Sequence, residues 1–314
     1  MPAPRPPAAS PPRLSPHLLV LLTLPPLVWA GNAVVGRAVT EQVPPVLLNT
    51  LRWTLALALL LPFTQGLWQR RTEWVPSWRW WLMTGILGMA SYNALLYQAL
   101  HTVSPVNVTL IAASLPVAML LVGAMFFQRP ATPHQVVGAA LCAAGVLMVV
   151  SQGQWQRLLA LQVSAGDLLM LLATLAWAGY SWLLTRPPPG LGADWPWTNT
   201  LALQMMMGLA VGAPLSGLEQ SWTHVPLRWD LGMGAALLFI ALGPSLLAYR
   251  CWGLGVAQGG PALASVFANL TPVFTALLAA LLLAEPPQAH HGWAFLLIAA
   301  GISVSARSVG AAKP

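Results

Sequence analysis

The side chains that could act on a solute are few, and they lie inside long apolar runs. Aromatic and amide groups dominate: Trp29, Asn32, Tyr92, Asn93, Tyr97 and Gln98, then Trp177, Tyr180, Gln204 and Tyr249. Such groups donate and accept hydrogen bonds without ionising near neutral pH, which suits non-covalent recognition of an amphipathic solute. Two further sets precede prolines: Asn107, Thr109 and Ser114 before Pro116, and Ser265, Asn269 and Thr271 before Pro272. Proline removes a backbone donor, and inside a membrane the carbonyl it frees needs a partner. The spacing predicts Pro116 and Pro272 in the middle of long helices, as hinges at a central site or as bends made for packing. Arg52 and Arg250 lie deeper in apolar runs than loop residues do. Each either contacts an anionic ligand, pairs within the protein, or snorkels its head to the interface.

Signatures of bond-making chemistry are absent. The chain carries no His-Glu-x-x-His, no Gly-x-Ser-x-Gly, no phosphate loop and no Asp-rich cluster, so no catalytic residue, metal or cofactor is expected. Its acids are Glu41, Glu73, Asp167, Asp194, Glu219, Asp230 and Glu285, all at segment ends or in loops. A relay of carboxylates through helix centres is therefore not expected. Asp167 is placed to start a helix favourably for its dipole. Cys142 and Cys251 lack metal-ligand spacing and read as small core residues.

The elements that must position these groups are membrane helices. Charged residues make up only 7 % of the chain, against about 25 % in soluble domains, too few to cover a water-facing surface. Apolar stretches of roughly 20 residues match the length a helix needs to cross hydrocarbon. None shows the sustained alternation of a β-barrel strand. The predicted spans are 17–38, 44–63, 80–101, 105–127, 134–151, 166–185, 197–217, 232–254, 261–284 and 291–308. Tryptophans such as Trp68, Trp78, Trp195 and Trp222 flank them as an interfacial belt.

Five segments are echoed by five more. Trp29-Ala30-Gly31 recurs as Trp177-Ala178-Gly179, and Pro105 to Gly145 aligns without a gap onto Pro261 to Gly301. Matching positions include Pro116/Pro272, Pro130/Pro286, His134/His290 and Ala143-Ala144-Gly145/Ala299-Ala300-Gly301. A duplicated unit with an odd number of crossings sits in the membrane in opposite orientations, the pattern of inverted-repeat transporters. The expected fold is therefore all-α and polytopic, with ten transmembrane helices in two inverted five-helix repeats. The units are a tail at 1–16, a first repeat at 17–151, a linker at 152–165, a second repeat at 166–308 and a tail at 309–314. A cleavable signal peptide over 1–35 is disfavoured, because that stretch carries the Trp-Ala-Gly of the repeat. Gly243-Pro244 marks a further break in segment eight, with no partner evident in segment three.

The net charge of +7 does not imply a nucleic-acid partner. Alternate segment ends carry Arg5, Arg13, Arg70, Arg71, Arg79, Arg129, Arg186, Arg250, Arg307 and Lys313, while the opposite ends carry only Arg37, Arg52, Arg157 and Arg228. This bias predicts cytoplasmic N and C termini. Small residues at Gly138, Cys142, Ala143, Ala144 and Gly145, and at Ala299 to Gly301, let segments five and ten approach a neighbour closely, as scaffold or as a homo-oligomer contact. The expected partners are a small-molecule substrate and the lipid bilayer.

The chain resembles the EamA-type branch of the drug/metabolite transporter superfamily from about residue 17 to 308. The resemblance rests on Trp29-Ala30-Gly31-Asn32, Pro44-Pro45 with Leu51-Arg52-Trp53, and Asn93 to Leu100 running into Ser114-Leu115-Pro116-Val117. In the second half it rests on Gly166-Asp167-Leu168-Leu169, Trp177-Ala178, Leu247-Ala248-Tyr249, and Thr271-Pro272-Val273-Phe274 running into Ala284-Glu285. It implies ten helices and a central cavity. It also implies export of amino-acid-like metabolites or drug-like compounds across a bacterial inner membrane. The departures are Gln128-Arg129 opposite Ala284-Glu285, and Arg250 where the family is apolar. A nucleotide-sugar or phosphometabolite exchanger, an integral-membrane enzyme and a non-transporting accessory subunit remain as alternatives.

Overall fold

A computed structural model describes residues 15–39, 42–100, 102, 108, 111–151, 153–154, 156–159, 164–192, 194–223, 229–283 and 289–310. Residues 1–14 and 311–314 of the expected tails, with Glu41, Asn107, Thr109, Arg228 and Glu285, lie outside the described residues. The described residues are all-helical apart from turns and loops, as the length of the apolar stretches leads one to expect. We number ten helical segments. The first five are α1 (Pro16–Val39), α2 (Pro45–Leu60), α3 (Trp78–Leu100, in three stretches), α4 (Leu115–Phe127) and α5 (Pro133–Val150). The others are α6 (Ala165–Leu183), α7 (Trp197–Trp222), α8 from Leu231, α9 ending with Thr271–Leu283, and α10 (Ala289–Gly310). Helix α8 gives way to α9 at a corner in the stretch Ala248–Ala268, where Gly260 has φ 79°, a left-handed value that glycine adopts without a Cβ penalty. Three stretches, Pro45–Phe63, Trp197–Trp222 and Leu231–Ala268, are each long and apolar enough to cross a membrane. The protein is an integral membrane protein.

The repeat shows in the irregularities. Helix α3 loosens into a π-helical stretch at Gly85–Ser91, and α8 does so at Ala241–Leu247. These stretches fall 156 residues apart at both ends, the offset that carries Pro105 onto Pro261. At the same offset, Leu115–Phe127 corresponds end to end with Thr271–Leu283, and the turn at 113–114 with the turn at 269–270. Gly243-Pro244 thus has a partner in segment three, namely Leu87-Gly88, a π turn made without proline. Two-residue turns and π turns are where a helix leaves backbone groups open to partners outside its own ladder.

The two prolines stand elsewhere than the spacing suggests. Pro116 and Pro272 occupy the first turn of α4 and of Thr271–Leu283, not the middle of an unbroken helix. A proline is tolerated there because the N–H it lacks has no intrahelical acceptor in a first turn. The helix breaks just before it, and the ring prevents the helical ladder from running on through the turn.

Cross-packing holds the halves together. Gly85 on α3 and Gly208 on α7 touch backbone to backbone, since a Cβ on Gly85 would stand 2.6 Å from the Gly208 nitrogen. Helix α7 also staples α2 at both ends. The Glu219 carboxylate accepts from the Val46 and Leu47 amides at 3.1 and 2.9 Å, capping the N-terminus of α2. Asn199 exchanges two 3.0 Å hydrogen bonds with the backbone of Gln65 beyond its C-terminus. Helices α5 and α10 pack on each other through their small residues. A Cβ on Gly301 would stand 2.5 Å from Cys142 Sγ, and one on Gly138 would stand 2.7 Å from the Gly301 carbonyl. That small-residue face is therefore filled within one chain, and a homo-oligomer through these helices would use their outer faces.

Candidate functional site

The sequence-selected rings meet at the centre. Trp177 of α6 lies 5.2–5.4 Å, centroid to centroid, from Trp29, Tyr92, Tyr180, Tyr249 and Trp252. Trp29 and Trp177 are counterparts in the two Trp-Ala-Gly repeats, and their rings meet edge to face at 5.4 Å. Trp53 on α2 extends the cluster, its ring 4.9 Å from that of Tyr249. Apart from Trp29 and Tyr92, which are partly covered, these rings are buried. The aromatic candidates pack against one another here, rather than standing apart around an open chamber. Edge-to-face pairs of this kind add to the stability supplied by burial alone.

Around the rings, each π turn offers a carbonyl to a side chain from the other half. The Gly88 carbonyl of α3 accepts from Tyr249 Oη at 2.6 Å. At the matching position of α8, the Pro244 carbonyl accepts from Trp29 Nε1 and Arg52 Nη2, both at 3.3 Å. Asn49 of α2 donates to the Met89 and Ala90 carbonyls at 3.0 and 3.5 Å. The broken helices show the same exchange: Asn269 Nδ2 donates to the Ala113 carbonyl at 3.4 Å. Ser114 turns its hydroxyl back onto the Ile111 carbonyl at 2.6 Å, which satisfies the end of the preceding turn.

Arg52 pairs within the protein, one of the three readings that its depth in the sequence left open. The side chain neither snorkels nor meets a carboxylate among the described residues. It is 1 % exposed, with Nε donating to Ser245 Oγ at 2.6 Å and its guanidinium 4.9 Å from the Trp53 ring centroid. Ser245 passes the bond on to the Ile240 carbonyl at 2.8 Å. Arg52 Nη1 has no hydrogen-bond partner. Sequence reasoning also left out Asn49, Trp53 and Trp252. Arg52 and Trp53 follow Asn49 by three and four residues on α2, and that spacing was the available signal.

Other candidates fall outside the ring cluster. Arg250 is partly buried and stacks 4.8 Å over the ring of Trp197, the first residue of α7. Asn93 is buried, Asn32 is partly covered with Oδ1 unpartnered, and Gln98 is exposed. Two clefts open away from the rings. One, about 500 Å³, lies between α1 and α8 and includes Val35, Gln42, Asp230 and Phe239. The other, about 310 Å³, includes Arg129, Trp182 and Arg186 beside the Gly260 corner. Among the described residues no group of three or more His, Cys, Asp or Glu side chains could hold a metal ion.

At one end, a loop clamp joins the two halves. Arg70 donates to both Glu73 oxygens at 2.6 and 2.9 Å, and to both Asp194 oxygens at 3.1 and 3.0 Å. The Gly192 amide donates to Glu73 Oε2 at 3.1 Å. Hydrogen bonds from Arg70 and then from this amide hold the Glu73 carboxyl below the usual carboxylate range, while the two acids push the Arg70 guanidinium up.

Comparison with known proteins gives a consistent picture. The sequence profile of the EamA-like transporter family matches residues 17–151 and 164–307. An uncharacterised transporter of Bacillus subtilis, YyaM, is 28% identical over 238 residues, covering 73% of this chain and 75% of that protein. The aromatic amino acid exporter YddG of Ancylobacter novellus is 25% identical over 288 residues, covering 89% and 93%. An uncharacterised Pseudomonas aeruginosa protein, PA1977, is 30% identical over 301 residues, covering 91% and 93%. A crystal structure 24% identical in sequence superposes with a TM-score of 0.71, over 92% of this chain and 96% of that one, and so shares the fold.

Proposed function

The chain belongs to the EamA-like transporter family, and from that premise we propose that it is a secondary transporter exporting small amino-acid-like or drug-like compounds by alternating access. The observation that carries the reading is the doubling of irregular backbone. Breaks and π turns recur at one offset, and the carbonyls at the π turns and at the first break are taken by side chains of the other half. Matching interruptions at a repeat interface are where transporters of this kind place a substrate site, and around it the halves can rock. The turns before Pro116 and Pro272 serve as the hinges. The ring cluster grips the apolar part of the solute. Likeness to an aromatic amino acid exporter supports a ring-bearing substrate.

The halves are inverted and both termini face the cytoplasm of a bacterial cell. The arginine bias motivates this orientation, and reporters placed after Lys313 and within 152–164 should then lie on opposite sides of the membrane. Flux tests the function itself. Proteoliposomes should release radiolabelled aromatic amino acids or related amphipathic solutes chemically unchanged. Recovery of a modified solute would instead favour an enzyme.

A further inference from the structure

The polar face of α2 carries three buried atoms that the protein leaves without hydrogen-bond partners, and α3 adds a fourth. Asn49 Oδ1, Arg52 Nη1 and Trp53 Nε1 are all unpartnered, and Arg52 and Trp53 follow Asn49 by three and four residues on the same side of the helix. Tyr97 Oη, from α3, is unpartnered as well. All four residues are at most 5 % exposed. Buried polar atoms in proteins are nearly always paired, and those inside a membrane are costly to leave otherwise. A cluster of them calls for a ligand.

The chemistry of the set is specific. Arg52 and Trp53 can only donate, Tyr97 can donate, and Asn49 Oδ1 can only accept. Arg52 is a cation whose present partners are all neutral: the Ser245 hydroxyl, the Pro244 carbonyl and the Trp53 ring. Its other nitrogens are fixed by those bonds, which leaves Nη1 pre-oriented. Three donors including one positive charge suit a carboxylate, and the acceptor beside them suits an ammonium or amide N–H. Trp53 links this face to the rings, being 4.9 Å from Tyr249, which is 5.3 Å from Trp177.

We propose that Asn49, Arg52, Trp53 and Tyr97 form the recognition site for the carboxylate and adjoining amine of the transported solute, whose ring or apolar side chain lies among Trp177, Tyr249 and their neighbours. This rests on the reading of the protein as a transporter and adds the substrate's charged end and the residues that select it. Arg52 also ties substrate to mechanism. The guanidinium that would take the carboxylate also holds the Pro244 carbonyl in the π turn of α8, so a bound anion competes for the group that joins α2 of one half to α8 of the other.

The test uses the purified full chain in detergent and in proteoliposomes, with four probes that share one ring: L-tryptophan, indole-3-propionate, tryptamine and indole. Trp53→Phe and Tyr97→Phe each delete one donor and keep the ring, so the fold is retained even where Arg52→Gln destabilises it. Thermal stabilisation of the wild type should be strongest with tryptophan, present with indole-3-propionate, and weaker with tryptamine and indole. Each Phe variant should lose affinity for the two carboxylates by roughly ten- to hundredfold, the scale of a hydrogen bond to a charged group, with little change for indole. Asn49→Leu should erase the preference for tryptophan over indole-3-propionate. Equal losses for all four probes, no loss for any, or no carboxylate binding to the wild type would overturn the assignment. If the wild type still moves solutes in proteoliposomes while the variants leave carboxylate selectivity intact, the site fails and the transporter reading stands. If the wild type moves no solute, the transporter reading fails.

Discussion

The side-chain amide of Asn269 donates to the backbone carbonyl of Ala113 at 3.4 Å, and those two residues hold the same position in the two halves of the chain, 156 residues apart. Each stands in the two-residue turn that interrupts a long segment, so the two breaks meet. The bond runs one way only, because alanine offers no amide in return. Duplication supplied the matching geometry, and divergence at one position supplied the bond that joins the halves.

Replacing Pro116 or Pro272 with alanine tests the hinges. In a first turn the restored N–H has no bond to repair, so the thermal midpoint should move little. Alanine does allow the helix to run on through 113–114 or 269–270, which would stiffen the break. Transport should therefore fall severalfold while stability is held. A loss of stability in proportion to the loss of flux would contradict the hinge role.

Gly88 is predicted to be intolerant of any side chain. A Cβ there would stand 2.6 Å from the ring of Tyr180, which is itself buried among other rings. Gly88→Ala should destabilise the protein by about 1–3 kcal/mol, the range for overpacking a filled core. Unfolding of the purified variant by heat or denaturant measures it. A stability equal to the wild type would mean that the ring cluster has room for a further methyl group.

Much of this architecture was legible in the sequence, and the gaps have physical causes. Segment positions follow from apolar length. The correspondence of α4 with Thr271–Leu283 follows from an ungapped alignment in which Pro116 matches Pro272. The π turn at Gly85–Ser91 was not visible, because only its counterpart contains a proline and a glycine-bearing π turn has no marker of its own. Arg52 was judged by its depth along α2, whereas its surroundings depend on which way α2 is rotated. That rotation is set by contacts far off in sequence, Glu219 at one end and Asn199 at the other. The rings stand out in the sequence as polar-edged groups in apolar runs, but that they pack together could only come from the fold.

Acid should weaken the clamp at Glu73. Its folded-state carboxyl sits below the ordinary value of 4.5, chiefly through the Arg70 hydrogen bonds, so ionised Glu73 favours the folded form. That contribution is complete above the ordinary value and is lost as pH falls through the lower folded value. Glu73→Gln should lower the unfolding temperature slightly at pH 7, and the gap to wild type should close below about pH 4, under the carboxylate range. High salt should narrow the gap as well, since the pair faces water. A gap independent of pH would contradict the clamp.

Arg250 is expected to act through stacking. Its guanidinium lies over Trp197 at 4.8 Å, a contact that lysine makes less well. Arg250→Lys should lower stability by about 0.5–1 kcal/mol, the scale of a cation–π contact at a half-exposed site. The apparent transport constant should change equally for anionic, zwitterionic and neutral solutes. A change confined to anionic or zwitterionic solutes would place Arg250 in the substrate path.

The central claim, that two halves alternate around one site, is tested most directly by counterflow. Proteoliposomes loaded with a high concentration of unlabelled tryptophan, phenylalanine or tyrosine are diluted into a trace of the labelled compound. An alternating carrier returns loaded with label, so the vesicles should transiently accumulate label above the outside concentration, and Pro116→Ala should blunt the overshoot. Label that merely equilibrates without an overshoot, or does not enter for any of these solutes, would contradict the account.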